Sequence, residues 1–166
     1  MNVEIVLEDM RWAKLQLDDL CEAAIAATLA HLSLPADRAG VSVLACNDAR
    51  ISELNKAFRD KQAATNVLSW PTLDRAADAP GGIPVPPKPA ADGSMELGDI
   101  ALSYDTCVRE ALENGKCEID HVTHLIVHST LHLLGFDHED DADADLMERL
   151  EREIIGKMGL DDPYLN

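Results

Sequence analysis

Apolar and polar positions alternate at the start of the chain. Val3, Ile5 and Leu7 fall on one side, with Glu4, Val6 and Glu8 between and after them. A period of two predicts a half-buried strand over 3–7. The period then lengthens: Leu17, Leu20, Cys21, Ala24, Ala27 and Leu32 recur at helical spacing until Pro35, which predicts a helix over 17–32. The run Val41 to Cys46 predicts a second strand. Asn47 and Asp48 can each cap the next helix, predicted over 49–59 with Ile51, Leu54, Asn55 and Phe58 on one face. Asn66 to Trp70 is a short apolar segment closed by Pro71, and it predicts a strand near a sheet edge, where a missing N–H is tolerated.

Between Thr72 and Ser94 the pattern breaks. Five prolines and three glycines fall in this stretch, which predicts a long loop inside one domain, because too little chain lies on either side for two cores. Such a loop serves as a cover for a cleft or as a disordered insertion. Leu97 to Ser103 resumes a strand, with Gly98 allowing a close backbone approach. Three helices follow, over 104–114, 118–134 and 141–158, each ended by a glycine, at 115, 135 and 159. Strands dominate the first two thirds and helices the last, so the expected class is α+β. There is no internal repeat. The 166 residues suit a single domain, 1–166, large enough to be stable without disulfide or metal staples.

Composition adjusts this picture in two ways. The hydrophobic share is 46%, but 22 of those residues are alanines and six are aromatic, so the core is expected to be aliphatic and helix-rich. The four cysteines, Cys21, Cys46, Cys107 and Cys117, include no C-x-x-C pair and read as reduced thiols of a cytosolic protein. The first nine residues, MNVEIVLED, lack the basic and apolar regions of a signal peptide. No apolar run approaches the ~18 residues of a membrane span, so a soluble protein with no membrane partner is expected. Thirty-one acids against 14 Lys and Arg give a net charge of −17, which argues against a DNA-coating or basic membrane-surface protein but leaves room for a small basic groove.

The chemistry concentrates in HVTHLIVHSTLHLLGFDH, where five of the six histidines lie between positions 121 and 138. On a helix, His128 and His132 at i and i+4 point the same way one turn apart, the spacing needed to grip one metal ion. Gly135 can turn the chain sharply, bringing His138 back toward them. Three neutral imidazoles make a Zn²⁺ site with an open fourth position, the layout of a catalytic centre. Metzincin proteases share the H-x-x-x-H-x-x-G-x-x-H spacing, so the geometry leaves the reaction open. Zincin proteases place a Glu general base after the first ligand, and here that position holds Ser129, which removes the proton shuttle of peptide hydrolysis. His121 and His124 read as satisfied helix histidines, and His31 carries no signal.

Two charged stretches complete the inventory. Arg50, Lys56, Arg59 and Lys61 put four positive charges within twelve residues. They read either as a solvated helix end complementing the dipole or as a phosphate clamp, for which the planar fork of Arg is suited. Glu139, Asp140, Asp141, Asp143 and Asp145 read most simply as the acidic N-terminus of the last helix.

At these residues the sequence closely resembles the YbeY family of bacterial zinc-dependent endoribonucleases, implicated in ribosomal RNA maturation. HSTLHLLGFDH at 128–138 matches the family's H-G-x-L-H-L-x-G-Y-D-H, with Ser129 in place of the usual Gly and Phe136 in place of Tyr. NKAFRDKQAATNVLSWP, LGDIALS and MERLEREI resemble further family segments, so the similarity covers the chain apart from the Pro-rich insertion. The resemblance implies a zincin-like α+β fold, His128, His132 and His138 as ligands of one zinc ion, and Arg59 as the residue needed for RNA cleavage. It also implies single-stranded ribosomal RNA as substrate, 16S 3′-end maturation and ribosome quality control as the role, and ribosomal proteins or the small subunit as partners.

The mechanism expected from residues and resemblance together is phosphodiester hydrolysis, with zinc polarising the phosphate and Arg59 stabilising its developing charge. Asp137 is expected to hold His138 or a bound water. The residues assign neither the nucleophile nor a general base. Two rivals remain at this level: a zincin-like metalloprotease, which Ser129 disfavours, and a non-catalytic ribosome-maturation factor with a structural zinc. Resolved along the chain, the charge divides into an acidic body and a basic stretch at 50–61, so weak, salt-insensitive general RNA affinity is expected, with recognition delegated to a ribosomal partner.

Overall fold

The structure is a computed structural model that describes residues 1–60 and 63–165. Its elements run β1 (Asn2–Leu7), α1 (Leu17–His31), β2 (Ala39–Cys46), α2 (Asp48–Arg59), β3 (Val67–Pro71), β4 (Met95–Ser103), α3 (Tyr104–Glu113), α4 (Glu118–Leu133) and α5 (Asp141–Lys157). Every element expected from the patterning is present, with ends moved by one or two residues. Of the two candidate caps before α2, Asn47 does the capping, accepting the Arg50 N–H at 3.0 Å. Asp48 instead takes the hydroxyls of Ser103 and Thr106 at 2.5 and 2.6 Å, fastening α2 to the end of β4 and the start of α3.

The four strands form one mixed sheet in the order β1-β2-β4-β3. β1, β2 and β4 are parallel, and β3 runs antiparallel to β4 on the edge. Pro71 ends that edge strand, where no ladder bond is lost. It stands opposite Gly98, at φ +143, where a Cβ would come within 2.1 Å of the Trp70 carbonyl oxygen. Only glycine lets the two backbones approach this closely.

One continuous core joins the sheet to α1, α3, α4 and α5. Ile25, Leu29, Val41, Val43, Leu97, Ile126, Leu131 and Ile154 are all buried within it. Patterning did not announce the 3-10 helix at Met10–Leu15, which seats Trp12 fully in this core with its indole N–H on the Cys46 carbonyl at 2.9 Å. α4 lies in the middle of the helical layer, packed against α1, α3, α5, β3 and β4. It is the element that carries the histidines.

The 72–94 segment has a defined course, and it does not form a cover over the histidine cleft. Buried Arg75 donates to the Leu133 carbonyl at 3.2 Å, Val85 N–H bonds the Arg75 carbonyl at 3.0 Å, and Gly81 N–H bonds Asp143 at 2.7 Å. The loop thereby braces the C-terminal end of α4 and the start of α5 from behind. Among the described residues, none of 72–94 lines the cleft.

Candidate active site

Nearly every residue of α4 between positions 121 and 133 is buried, but His124, His128 and His132 are only half-buried. Their i, i+4, i+8 spacing puts them on one stripe of the helix, and that stripe borders a cleft of about 600 Å³ at the level of His128 and His132. β3 forms the opposite wall through Val67 and Ser69, the end of α2 contributes Arg59, and the 135–139 turn contributes Asp137, His138 and Glu139.

The two helical histidines are held in matching orientations. His128 Nδ1 lies 3.0 Å from Glu151 Oε1, and His132 Nδ1 lies 3.1 Å from the Phe136 carbonyl oxygen. An ionised carboxylate and a carbonyl only accept, so each ring carries its proton on Nδ1 and keeps the Nε2 lone pair free. Burial holds the His132 pKa below the ordinary histidine range, with the nearby Arg59 charge adding to the effect and Asp137 opposing it. A neutral imidazole with one nitrogen anchored and the other free is the form that binds a transition metal.

His138 is placed differently. The turn at Gly135, at φ +104, does bring it back as expected, and its ring stacks on His128 at 5.2 Å between centroids and 20° between planes. Among the described residues its ring has no hydrogen bond, and no three His, Cys, Asp or Glu side chains stand close enough to hold a metal together. Asp137 engages His138 through the backbone N–H at 2.7 Å and not through the ring. The donor set thus fits zinc in kind: two preset Nε2 lone pairs and a third imidazole in contact with one of them.

Among the described residues, Arg59 is the member of the basic stretch that lines the cleft. It sits in the last turn of α2, beyond which Asp60 adopts a left-handed conformation at φ 56. None of the ion pairs among the described residues involves it. Arg50, by contrast, is committed to Glu8 at 3.2 Å and Glu53 at 3.4 Å, and Lys61 lies outside the described residues. The four basic residues therefore do not assemble into one clamp within the described structure. Ser129 is 1% exposed on the cleft wall, and its hydroxyl has no hydrogen-bond partner among the described residues. The acidic run is a helix start as expected, with Asp140 capping α5 through the Ala142 N–H at 2.9 Å.

Glu151 is the residue the sequence reading missed. It is 1% exposed, and its Oε1 accepts from His124 Nε2 at 2.9 Å as well as from His128, while Oε2 accepts the Tyr164 hydroxyl at 2.7 Å. Burial raises its pKa, but the hydrogen bonds from His124, His128 and Tyr164 outweigh that and bring it down to about 2. A signal was present: Met147, Leu150, Ile154 and Ile155 mark the inner face of α5, and Glu151 sits on that same face. His124 is satisfied as expected, and His121 bonds Glu110 at 3.0 Å through Nε2, while its Nδ1 has no partner among the described residues. Glu110 also receives the Asn66 amide at 2.9 Å, which anchors the start of β3 beside the cleft. All four cysteines are free, and Cys21, Cys46 and Cys107 are buried, with burial pushing the Cys46 thiol up to about 11. No helix among the described residues is long and apolar enough to cross a membrane.

Comparison with known proteins places the chain in a family. The solution structure of TM1509 from Thermotoga maritima shares the fold, with a TM-score of 0.54 at 20% identity over 99% of each chain. Residues 3–159 match the family profile described as Endoribonuclease YbeY. The protein named Endoribonuclease YbeY of Ruegeria pomeroyi is 54% identical, with 99% of this chain and 98% of that protein aligned. The namesake from Dinoroseobacter shibae is 56% identical over 98% of this chain and 90% of its own length. Profile and relatives both span the histidine helix, the Gly135 turn and the Arg59 segment, and the chain belongs to the endoribonuclease YbeY family.

Proposed function

We propose that this chain is a zinc-dependent endoribonuclease, a single zincin-like domain that cleaves single-stranded RNA in the cytoplasm. Its role is 16S ribosomal RNA 3′-end maturation and ribosome quality control, with ribosomal proteins or the small subunit as partners. The observation that carries the reading is the meeting of Arg59 with His128, His132 and His138 in one cleft, in a chain of this family.

His128, His132 and His138 are the residues that would hold one zinc ion, which would supply Lewis-acid polarisation of the scissile phosphate. His128 and His132 would each offer the Nε2 that their Nδ1 contacts leave free, and His138, stacked on His128, would be the third donor. Arg59 binds the phosphate oxygens through its planar fork and stabilises the charge that develops on them. The β3 wall, held by the Asn66–Glu110 bond, supports the RNA backbone opposite the histidines. Ser129 presents a hydroxyl and not a carboxylate at the cleft, which supports nuclease over protease chemistry.

The test incubates zinc-loaded protein, with His132→Ala and Arg59→Ala variants, on labelled ribosomal RNA and on casein. RNA cleavage by the wild type, lost in both variants while Arg59→Ala retains zinc, is the expected result. Wild-type cleavage rates in both variants would overturn the assigned site. Casein cleavage would favour a protease, and inactivity on both substrates with ribosomal particles still captured would favour a non-catalytic factor.

A further inference from the structure

The proposed ligand His128 is held by Glu151, and the chain's last residues hold Glu151. Tyr164 donates to Glu151 Oε2 at 2.7 Å and meets the His124 ring edge-on at 5.4 Å and 82°. The tail carrying Tyr164 is fastened at several points. Lys116 donates its ammonium to the Pro163 carbonyl, Arg152 pairs with Asp162 at 3.4 Å, and the Arg152 guanidinium lies 5.2 Å from the centre of the Tyr164 ring. Upstream, Leu160 N–H returns to the Ile155 carbonyl at 3.2 Å, closing the end of α5. These contacts turn the tail back beside His124, and of the three stripe histidines His128 and His132 line the cleft.

We propose that Glu151, clamped by Tyr164 and His124, is the positioning residue of this site: it sets the His128 tautomer and aims Nε2 at the metal position, making the C-terminal tail a working part of the centre. The proposal rests on the reading of His128 as a zinc ligand. Its physical basis is a count of donors and acceptors. One carboxylate oxygen receives two imidazole N–H groups and the other receives a phenol, so three donors surround a side chain that is 1% exposed. With three of its four lone-pair sites occupied in this way, the carboxylate has little freedom to rotate, and neither does the ring it holds. A carboxylate on the far nitrogen also makes the imidazole a better donor at Nε2.

The experiment compares wild type with Glu151→Gln, Glu151→Ala and Tyr164→Phe. Two readouts are taken: the His128 tautomer by long-range ¹H–¹⁵N NMR of the metal-free protein, and zinc affinity by chelator competition. In wild type the ring is the Nδ1–H form. Glu151→Ala is expected to give a mixture of tautomers and a zinc affinity reduced roughly 10- to 100-fold, the usual effect of losing such a partner. Glu151→Gln keeps an acceptor but no charge, so the tautomer is expected to persist with an affinity loss near the lower end of that range. Tyr164→Phe, the mildest change, is expected to weaken zinc binding a few-fold and to broaden the His128 ring signals, and it stands in if Glu151→Ala does not fold. An unchanged His128 tautomer in Glu151→Ala, or unchanged zinc affinity in both Glu151→Gln and Tyr164→Phe, overturns the proposal. A His128→Ala variant with full zinc affinity would instead refute the ligand assignment, an outcome the metal-free tautomer measurement does not share.

Discussion

His128 and His138 touch each other, yet they belong to two differently made regions. His128 stands on a helix buried nearly all round, with its far nitrogen fixed to a carboxylate that is itself clamped. His138 stands three residues past a left-handed glycine, exposed, with no hydrogen bond to its ring among the described residues. Positioning on the helix is fixed when the chain folds. On the proposed zinc reading, positioning on the turn would be completed by metal binding, so the turn is where the ordering entropy of binding would fall. A site of this kind has a preset half and an adaptive half.

The largest expected effect comes from removing the freedom of the turn. In Gly135→Ala the new Cβ would meet the Arg75 carbonyl oxygen at 2.6 Å and Pro84 at 2.8 Å, at a φ that side chains rarely adopt. Strain and overpacking together are expected to cost about 3 kcal/mol or more, seen as a large fall in the urea midpoint of the metal-free protein. A change within 0.5 kcal/mol would show that the turn is not held between loop and helix. Next come the proposed ligands, compared without metal. His128→Ala leaves a buried carboxylate short of a donor and is expected to cost about 2 kcal/mol. His138→Ala is expected to stay within about 0.5 kcal/mol, as an exposed residue should. Equal losses in the two melts would erase the distinction between the halves. Zinc affinity is expected to fall in both.

Arg75→Ala sharpens the same comparison from behind. It removes the donor to the Leu133 carbonyl at the end of α4, and about 1 to 2 kcal/mol of stability is expected to go with it. The His128 NMR signals should be unchanged while those of His138 shift. The smallest effect lies far from the cleft. The side-chain hydrogen bond from Arg11, with the Asp48 backbone N–H, holds the Asp105 carboxyl below its usual range. A lowered folded-state pKa stabilises the fold at pH above the ordinary 3.8, and that contribution is lost as pH falls through the folded value. Because Asp105 is one-third exposed, the contribution is screened to below about 1 kcal/mol. Asp105→Asn is expected to flatten the acid limb of a stability-versus-pH curve slightly and to leave zinc affinity alone.

Much of this was legible in the chain because the relevant forces are local. Period-two and helical spacing, Pro35, Asn47 and the three helix-ending glycines mark the elements, since backbone preference and amphipathic burial act within one or two turns. The stripe of His128 and His132 follows from helical pitch alone. What was not legible depends on pairs far apart in sequence. Glu151 reaches back 23 residues to His128 and Tyr164 reaches 13 to Glu151, and nothing local in α5 says which residue its buried acid will meet. Arg50 and Arg59 look alike in sequence, and the position of Glu8 just past the end of β1 helps decide that one is tied down while the other faces the cleft. The 72–94 loop was unreadable for the same reason: its fate hangs on Arg75 finding the Leu133 carbonyl 58 residues on.

That loop has a practical use. Lys88 to Asp92 form an exposed tip, closed by the Ala90 N–H on the Ser94 carbonyl at 2.7 Å, and none of these residues lines the cleft. A peptide tag or fluorophore carried there would be displayed away from Arg59 and the histidines. The protein could then be immobilised or tracked with its cleft and its C-terminal tail both left native.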